Sequence, residues 1–239
     1  MTAGLNVVVL TGAGISADSG VDTFRDPDGA WMKNDPMKVA TPKGFAEDPA
    51  RVHAFYNARR AQLPKVDPNP AHRALAKLEA EITARGGTFT LVTQNVDDLH
   101  QRAGSKNVLP IHGLLDHSQC TACGTIMVWT DALFVDTPCP ACSNPALRPY
   151  IVWFGEIPRH FDEVEDAMAE ADVFAAIGTS GAVYPAAGLV GFARERGIPR
   201  VELNLEPSDN AALFTEQHYG RASEIVPAWV ERVLASPSA

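Results

Sequence analysis

The sequence has no long apolar run and no excess of basic residues, and these two absences exclude several classes of protein. No apolar stretch approaches the roughly 18 residues of a membrane-spanning helix, and the run at residues 5–10 is too short for a secretory signal core. The 20 Lys and Arg are outnumbered by 29 Asp and Glu, so the net charge is −9. Nonspecific binding to nucleic acid or to anionic lipid needs a basic face. We therefore expect a cytoplasmic protein, taken as a monomer, that binds neither.

Cysteine is scarce, and no internal repeat is visible. The 239 residues are 46% hydrophobic and 21% charged, which suits one large domain or a domain with a smaller insertion. In the cytoplasm the four cysteines are expected to be reduced thiols unless a metal holds them.

Short apolar runs rich in β-branched residues alternate with helical patterns. The runs lie at residues 5–10, 88–93, 108–112, 173–177 and 201–205. One helical pattern starts at Asn69-Pro70, a second precedes Val173, a third ends at Gly197 and a fourth lies at residues 226–234. The alternation predicts an α/β fold with a Rossmann-like, doubly wound parallel sheet.

Two segments interrupt this alternation. Residues 34–68 carry a helical pattern bounded by prolines, and residues 116–156 carry all four cysteines. We predict that these insertions pack together as a small domain. The Rossmann-like domain then consists of residues 1–33, 69–115 and 157–239, and the polar residues 21–36 are expected to form a mobile loop.

The first apolar run leads into Gly12-Ala13-Gly14-Ile15-Ser16-Ala17, which fits the G-x-G-x-x-G/A pattern of dinucleotide-binding turns. The glycines allow a close approach to a pyrophosphate at the N-terminus of the next helix. The alternative is a plain strand–helix turn. No acidic residue ends a second strand about 20 residues later, so this is not an ordinary dehydrogenase fingerprint.

The cysteines form two close pairs, Cys120-x2-Cys123 and Cys139-x2-Cys142. This spacing is typical of a zinc ribbon, in which four thiolates close a tetrahedral shell. Disulfides and a redox pair are the alternatives, and a cytoplasmic location disfavours both. The spacing therefore predicts one structural zinc without an open position for catalysis.

Polar residues also follow other predicted strands. Residues 93–100 (TQNVDDLH) offer amides and carboxylates where ligands bind in open α/β sheets, although Asn and Asp equally favour helix N-caps. His112 ends another run and could serve as a general base, but a lone histidine is more often structural. The other six histidines compete with it: His53, His72, His100, His117, His160 and His218.

In combination these segments resemble the sirtuin family of NAD-dependent protein deacylases, and specifically its class III branch of bacterial and archaeal type. The matching segments follow the family's order along nearly the whole chain: residues 12–25, 93–100, 112–113, the cysteine pairs, 151–156, 178–180 and 204–206. Asp22 departs from the family, which usually has a non-acidic residue there.

The resemblance implies that NAD is consumed as a co-substrate and that one zinc is structural. The acyl-lysine oxygen attacks the nicotinamide ribose carbon, nicotinamide leaves, and His112 helps to deprotonate a ribose hydroxyl. The products are free lysine, nicotinamide and O-acyl-ADP-ribose. Asn95 and Asp97 are implied as catalytic residues beside His112, and Phe24 as a cover over the reactive ribose.

The same resemblance implies contacts with NAD by residues of the strand ends and loops. These are Gly12, Ala13, Gly14, Ser16, Ala17, Phe24, Arg25, Trp31, Gln94, Asn95, Val96, Asp97, Gly178, Thr179, Ser180, Asn204, Leu205, Glu206 and Ala222. Val152 and Phe154 are implied to line the acyl-lysine tunnel. The backbone near Gly155 and Glu156 is implied to pair with the substrate peptide.

Arg59 interrupts an apolar helix face that carries Val52, Phe55, Tyr56 and Leu63. A guanidinium there needs an anion or a path to solvent, so a snorkelling arginine is the plain alternative. Class III sirtuins carry the same Tyr-x-x-Arg pair. The resemblance implies that Tyr56 and Arg59 bind the distal carboxylate of succinyl- or malonyl-lysine, with Ala40 leaving room for the longer chain.

Several functions remain possible at this point. The chain is expected to be a deacylase that prefers acidic acyl groups and also accepts acetyl-lysine. A deacetylase with little succinyl preference, an ADP-ribosyl transferase, and a noncatalytic binder of NAD or acyl-peptides are the alternatives. A zinc-ribbon adaptor for nucleic acid is disfavoured by the net charge of −9.

Overall fold

The structure, a computed structural model, describes residues 4–21 and 34–235. Its strands in that part of the chain are β1 (Asn6–Thr11), β2 (Thr88–Thr93), β3 (Val108–Pro110), β4 (Gly113–Cys120), β5 (Ile126–Val128), β6 (Leu147–Ile151), β7 (Val173–Ile177), β8 (Arg200–Asn204) and β9 (Glu216–Tyr219). Its α-helices are α1 (Pro36–Val39), α2 (Pro42–Glu47), α3 (Pro49–Arg60), α4 (Pro70–Ala84), α5 (Leu99–Ala103), α6 (Phe161–Ala169), α7 (Leu189–Glu195) and α8 (Ala222–Ala235).

Six strands form one parallel sheet in the order β3-β2-β1-β7-β8-β9. Strand β1 lies at the centre and is buried from Val7 to Thr11, as its apolar sequence predicts. The predicted doubly wound parallel sheet is therefore confirmed. The edge strand β9 was not predicted, because its residues Glu216–Tyr219 are polar and largely exposed and give no apolar run.

Helices cover both faces of this sheet. Helices α4 and α8 pack on one face, and α6 and α7 pack on the other. Helix α4 begins where Asn69-Pro70 predicts: the Asn69 side chain accepts from the Ala71 amide at 2.9 Å, and His72 Nδ1 accepts from the Asn69 amide at 3.3 Å. No helix in the described residues is long and apolar enough to cross a membrane.

The segment after β1 differs from the prediction of a helix that opens at the glycine turn. Within residues 12–21 the chain forms two short 3-10 turns, Ala13–Ile15 and Ala17–Ser19, and no α-helix. The second turn ends at Gly20, whose left-handed φ of +86° changes the direction of the chain. The amides of Gly12 and Gly14 donate to Ile177 O and Gly178 O, both at 3.0 Å, and so join this turn to the end of β7.

The two insertions pack against one another. Strands β5, β4 and β6 form a three-stranded antiparallel sheet in that order. A buried cluster joins the helical insertion to these strands: Val39, Ala40, Val52, Phe55, Tyr56, Leu63, Leu115, Ile151 and Trp153. This cluster supports the proposed small domain, although β4 begins at Gly113, before the boundary proposed at residue 116.

The four cysteines meet at one end of the small sheet. Their sulfurs all lie within 4.8 Å of one another. A tetrahedral zinc with Zn–S bonds of about 2.3 Å separates its sulfurs by about 3.8 Å. The distances of 3.7 Å between Cys120 Sγ and Cys142 Sγ and 3.8 Å between Cys123 Sγ and Cys139 Sγ match that value. The cluster therefore fits one structural zinc with a closed shell.

We expect Cys139→Ala to lower bound zinc from one per chain to well below one, because a three-thiolate shell is open to water and metal binding here contributes to folding. The melting temperature should fall with it. The measurement is metal analysis and thermal unfolding of the purified variant, with Asp136→Ala on the exposed part of the same loop as control. A full zinc complement in Cys139→Ala would contradict the assignment.

Candidate active site

A cleft of about 1010 Å³ opens between the carboxyl ends of the parallel strands and the small domain. Every predicted NAD and substrate residue in the described part of the chain borders it, except Ser16, which is buried beneath it. The predicted residues Phe24, Arg25 and Trp31 lie outside the described residues.

The glycine turn after β1 meets the end of β7 at close range. The Gly14 amide donates to Gly178 O at 3.0 Å. A Cβ atom on Gly14 would lie 2.7 Å from Gly178 Cα, so glycine is required at this contact. The sequence predicted a close approach of the backbone to a bound pyrophosphate. In the structure Gly14 allows the turn after β1 to pack against the end of β7.

Ser16, Asn95 and Asp97 form a hydrogen-bonded group at the floor of the cleft. The Ser16 hydroxyl donates to Asp97 Oδ2 at 3.1 Å and accepts from Asn95 Nδ2 at 3.0 Å. Burial raises the pKa of Asp97, while the Leu99 amide and the Ser16 hydroxyl act in the opposite direction. Asp97 Oδ1 also accepts from Leu99 N at the start of α5, at 3.2 Å. The N-cap of α5 is Asp98, which makes no side-chain cap hydrogen bond, so Asp97 borders the cleft just before the helix begins.

His112 lies in the two-residue turn between β3 and β4. Its Nδ1 is 3.0 Å from Gln94 O. A carbonyl only accepts, so Nδ1 must carry the proton and Nε2 keeps its lone pair. Burial lowers the pKa of His112 below its ordinary 6.5. The next residue, Gly113, has φ +83° and passes so close to Tyr150 O that a Cβ would lie 2.0 Å from it. The turn therefore holds a neutral imidazole suited to accept a proton.

The other histidines take structural positions. His100 contacts Thr11 Oγ1 at 3.0 Å, His72 completes the cap of α4, and His53 is buried in α3. The remaining three pair with neighbouring carboxylates: His117 with Asp116, His160 with Glu163, and His218 with Glu216. Of the seven histidines, all of which lie in the described residues, His112 alone borders the cleft.

Tyr56 and Arg59 lie on the face of α3 that borders the cleft. Tyr56 Oη accepts a hydrogen bond of 3.0 Å from Trp153 Nε1. Burial raises the pKa of Tyr56 to about 12, and the positive charge of Arg59 acts against that rise. Arg59 also acts on the pKa of Asp97, which it lowers. The guanidinium therefore acts electrostatically on both the Tyr56 hydroxyl and the Asp97 carboxylate.

The segment after β6 forms the opposite wall. The Val152 amide donates to His112 O and the Phe154 amide to Ala40 O, both at 2.9 Å. Glu156, predicted as a substrate residue, turns its carboxylate to Arg148 with hydrogen bonds of 2.6 and 3.0 Å. The Glu156 side chain is thus engaged within the protein, and its amide donates to Trp153 O at 2.9 Å.

The far end of the cleft is closed by the ends of β7 and β8. Asn204 Nδ2 donates to Thr179 O at 2.7 Å and so fixes the two strand ends to each other. Asp18 accepts from Arg221 and from Ser223 beside the predicted Ala222. Asp18 and Arg221 border the cleft but were not predicted.

Trp153 is the most informative residue that the sequence analysis missed. It lies inside the quoted segment 151–156, is 3% exposed and borders the cleft. A buried indole needs a partner for its N–H, and this need was the signal that could have drawn attention to it.

Comparisons with known proteins agree with this geometry. The model of the Sir2 family matches residues 12–185. The NAD-dependent protein deacylase of Caulobacter vibrioides is 56% identical over 97% of this chain and 98% of its own length. That of Escherichia coli strain K12 is 53% identical over 95% of this chain and 82% of its own length.

Solved structures give the same result. A crystal structure of a Sir2 homologue with NAD superposes with a TM-score of 0.86 at 37% identity, over 96% of this chain and 90% of the other. The chain matches the family model, is highly identical to these relatives over nearly its full length, and shares the fold of the solved homologue. The chain therefore belongs to the Sir2 family.

Proposed function

We propose that the chain removes acidic acyl groups, succinyl and malonyl in preference to acetyl, from lysine side chains of proteins. The coarser activity, NAD-dependent protein deacylation, follows from its family and from relatives of more than 50% identity that carry that name. The observation that carries the finer proposal is the position of Arg59 and Tyr56 on the same cleft as His112.

The cleft fits NAD in its donor set and its volume. It offers backbone without side chains at Gly12, Gly14 and Gly178, and polar side chains at Ser180 and Asn204. NAD supplies a ribose carbon that becomes electrophilic as nicotinamide leaves. We assign the diphosphate to the glycine turn and the adenosine half to the ends of β7 and β8, with Gln94 near the nicotinamide ribose.

The residues of the floor have separate tasks in this proposal. Asn95 and Asp97 orient the nicotinamide end, and Ser16 holds both of them by its hydrogen bonds. His112 accepts a proton from a ribose hydroxyl at Nε2, because its Nδ1 is committed to Gln94 O. Val152 and Phe154 line the path of the acyl-lysine, and the backbone at Gly155 and Glu156 pairs with the peptide.

The acyl pocket supplies a fixed positive charge and a hydroxyl donor. A distal carboxylate matches the planar fork of Arg59, and Tyr56 offers one further donor. The buried residue Ala40 leaves space at the same wall. Because Arg59 borders the cleft, the position favours a ligand for its charge over a snorkelling side chain. A deacetylase with little succinyl preference and an ADP-ribosyl transferase remain the alternatives.

Reduced cysteines that hold a zinc fit a reducing compartment. We accordingly propose a cytoplasmic location, and a monomer that binds acylated protein or peptide substrates without nucleic acid.

We expect His112→Ala to lower deacylation by about 10²-fold or more, as is typical for removal of a general base. Zinc content and melting temperature should stay close to wild type, because the imidazole contributes little to packing in its turn. Steady-state rates with acyl-peptide and NAD provide the measurement, and His218→Ala on the exposed edge strand is the control. Turnover near wild type in His112→Ala would reject His112 as the base.

The pH profile tests the protonation state. A base is active when deprotonated, so activity is lost as pH falls through the pKa of His112. Since burial lowers this pKa below 6.5, the acid limb of kcat/KM should have its midpoint below 6.5. A midpoint above that value in wild type would contradict the buried neutral imidazole.

We expect Arg59→Met to lower kcat/KM for a succinyl-peptide by about 30-fold or more, since loss of one partner of a desolvated charged pair costs about 2–5 kcal/mol. Acetyl-peptide activity should stay level or rise, because acetyl has no carboxylate to lose. Added salt should weaken the succinyl preference.

The matched control is Arg51→Met, which makes the same change at an exposed position of the same helix. Its succinyl-to-acetyl ratio should equal that of wild type. If Arg59→Met also leaves this ratio unchanged, Arg59 does not receive the acyl carboxylate.

A further inference from the structure

We propose that Trp153 sets the acyl specificity of the site as a positioning residue, by making the Tyr56 hydroxyl a donor directed to the acyl carboxylate. The inference rests on the proposed preference for acidic acyl groups. It names a specificity-determining contact between the segment after β6 and helix α3, which carries Tyr56 and Arg59.

The direction of the hydrogen bond follows from the chemistry of its two partners. Trp153 Nε1 lies 3.0 Å from Tyr56 Oη, and both side chains are buried. An indole nitrogen only donates, whereas a phenol has one proton to donate and lone pairs to accept. Tyr56 must therefore be the acceptor in this bond. Its own proton is therefore directed elsewhere than to Trp153, and Tyr56 lines the cleft.

The indole is held in place by its neighbours. The Arg148 guanidinium lies 3.5 Å from the centroid of the Trp153 ring, and Phe45 lies on it with centroids 5.1 Å apart. Glu156 links Arg148 to Trp153, because its carboxylate accepts hydrogen bonds from the Arg148 guanidinium and, at 2.8 Å, from the Trp153 amide. The ring has little freedom to turn, so its N–H keeps a constant direction.

The hydroxyl also stays protonated. Burial raises the pKa of Tyr56 to about 12, despite the nearby charge of Arg59. At neutral pH Tyr56 thus presents one proton. An oriented donor beside the guanidinium of Arg59 favours a carboxylate over a methyl group, because the methyl group of acetyl-lysine offers no acceptor.

Removal of the indole N–H should affect acidic substrates alone. In Trp153→Phe the aromatic ring remains, but Tyr56 Oη loses its donor and the hydroxyl is free to rotate. We expect kcat/KM for succinyl-peptide to fall about threefold to tenfold, the usual range for one neutral hydrogen bond. The loss should appear mainly in KM, and kcat/KM for acetyl-peptide should change less than about twofold, which is below that range.

A double-mutant cycle separates this role from a general packing defect. Wild type, Trp153→Phe, Tyr56→Phe and the double variant are assayed with both peptides. If Trp153 acts through the Tyr56 hydroxyl, Trp153→Phe causes no further loss of kcat/KM for succinyl-peptide in a protein that already carries Tyr56→Phe. Equal losses in both backgrounds, or equal losses for both peptides, would overturn the proposal. Trp229→Phe, which removes a buried indole in α8, is the control and should leave the succinyl-to-acetyl ratio unchanged.

A second readout does not depend on activity. The chain has four tryptophans, so ¹⁵N-tryptophan labelling gives a simple indole N–H spectrum in which Trp153→Phe identifies one signal. Tyr56→Phe removes the acceptor and should move this signal upfield while the Trp229 signal stays in place. An unmoved Trp153 signal would show that the hydrogen bond is absent in solution and would overturn the proposal.

The two proposals fail in different ways. A wild-type enzyme that processes succinyl- and acetyl-peptides equally well would overturn the preference for acidic acyl groups. A different pattern of results would overturn only the role of Trp153. In that pattern wild type has the preference, Tyr56→Phe loses part of it, and Trp153→Phe keeps it.

Discussion

The parallel pairing of β1 with β2 and β7 is the constraint on which the rest of the site depends. Thr11 is in register with Thr93 on one side and with Ile177 on the other. The three strands therefore end at the same level, and the residues that follow them, Gly12, Gln94 and Gly178, emerge side by side. A ligand cleft at this edge is a consequence of topology, because carboxyl ends of parallel strands share one edge.

The small domain gives this edge its second wall. Helix α3 is fixed to the loop between the cysteine pairs, since the Asn57 side chain donates to Leu133 O at 2.9 Å and accepts from Leu133 N at 2.8 Å. On the same helix Arg60 Nε donates to Leu115 O at 2.7 Å. Leu133 packs in one buried cluster with Cys120 and Cys139, so this loop joins the cysteine end of the small sheet to the helix that carries Tyr56 and Arg59.

Two side chains that line the cleft, His112 and Tyr56, and one buried beneath it, Ser16, have their proton positions set by the hydrogen-bond partners behind them. The Gln94 carbonyl fixes the proton of His112 on Nδ1, and the Trp153 indole makes Tyr56 an acceptor on its buried side. Ser16 accepts from Asn95 and donates to Asp97. Buried polar groups must satisfy their hydrogen bonds, so each outward-facing atom is left with a single role.

Local patterns in the sequence determined the central strands, the start of α4, the cysteine cluster and, through family resemblance, many of the residues that border the cleft. Each depends on neighbours in the chain or on a fixed spacing. The tertiary structure alone decided the strand β9, the 3-10 turns after β1, the inward turn of Glu156 and the bond from Trp153 to Tyr56, which joins residues 97 positions apart. The bond from Trp153 to Tyr56 depends on packing between distant segments, and a spacing pattern within one segment carries no information about it.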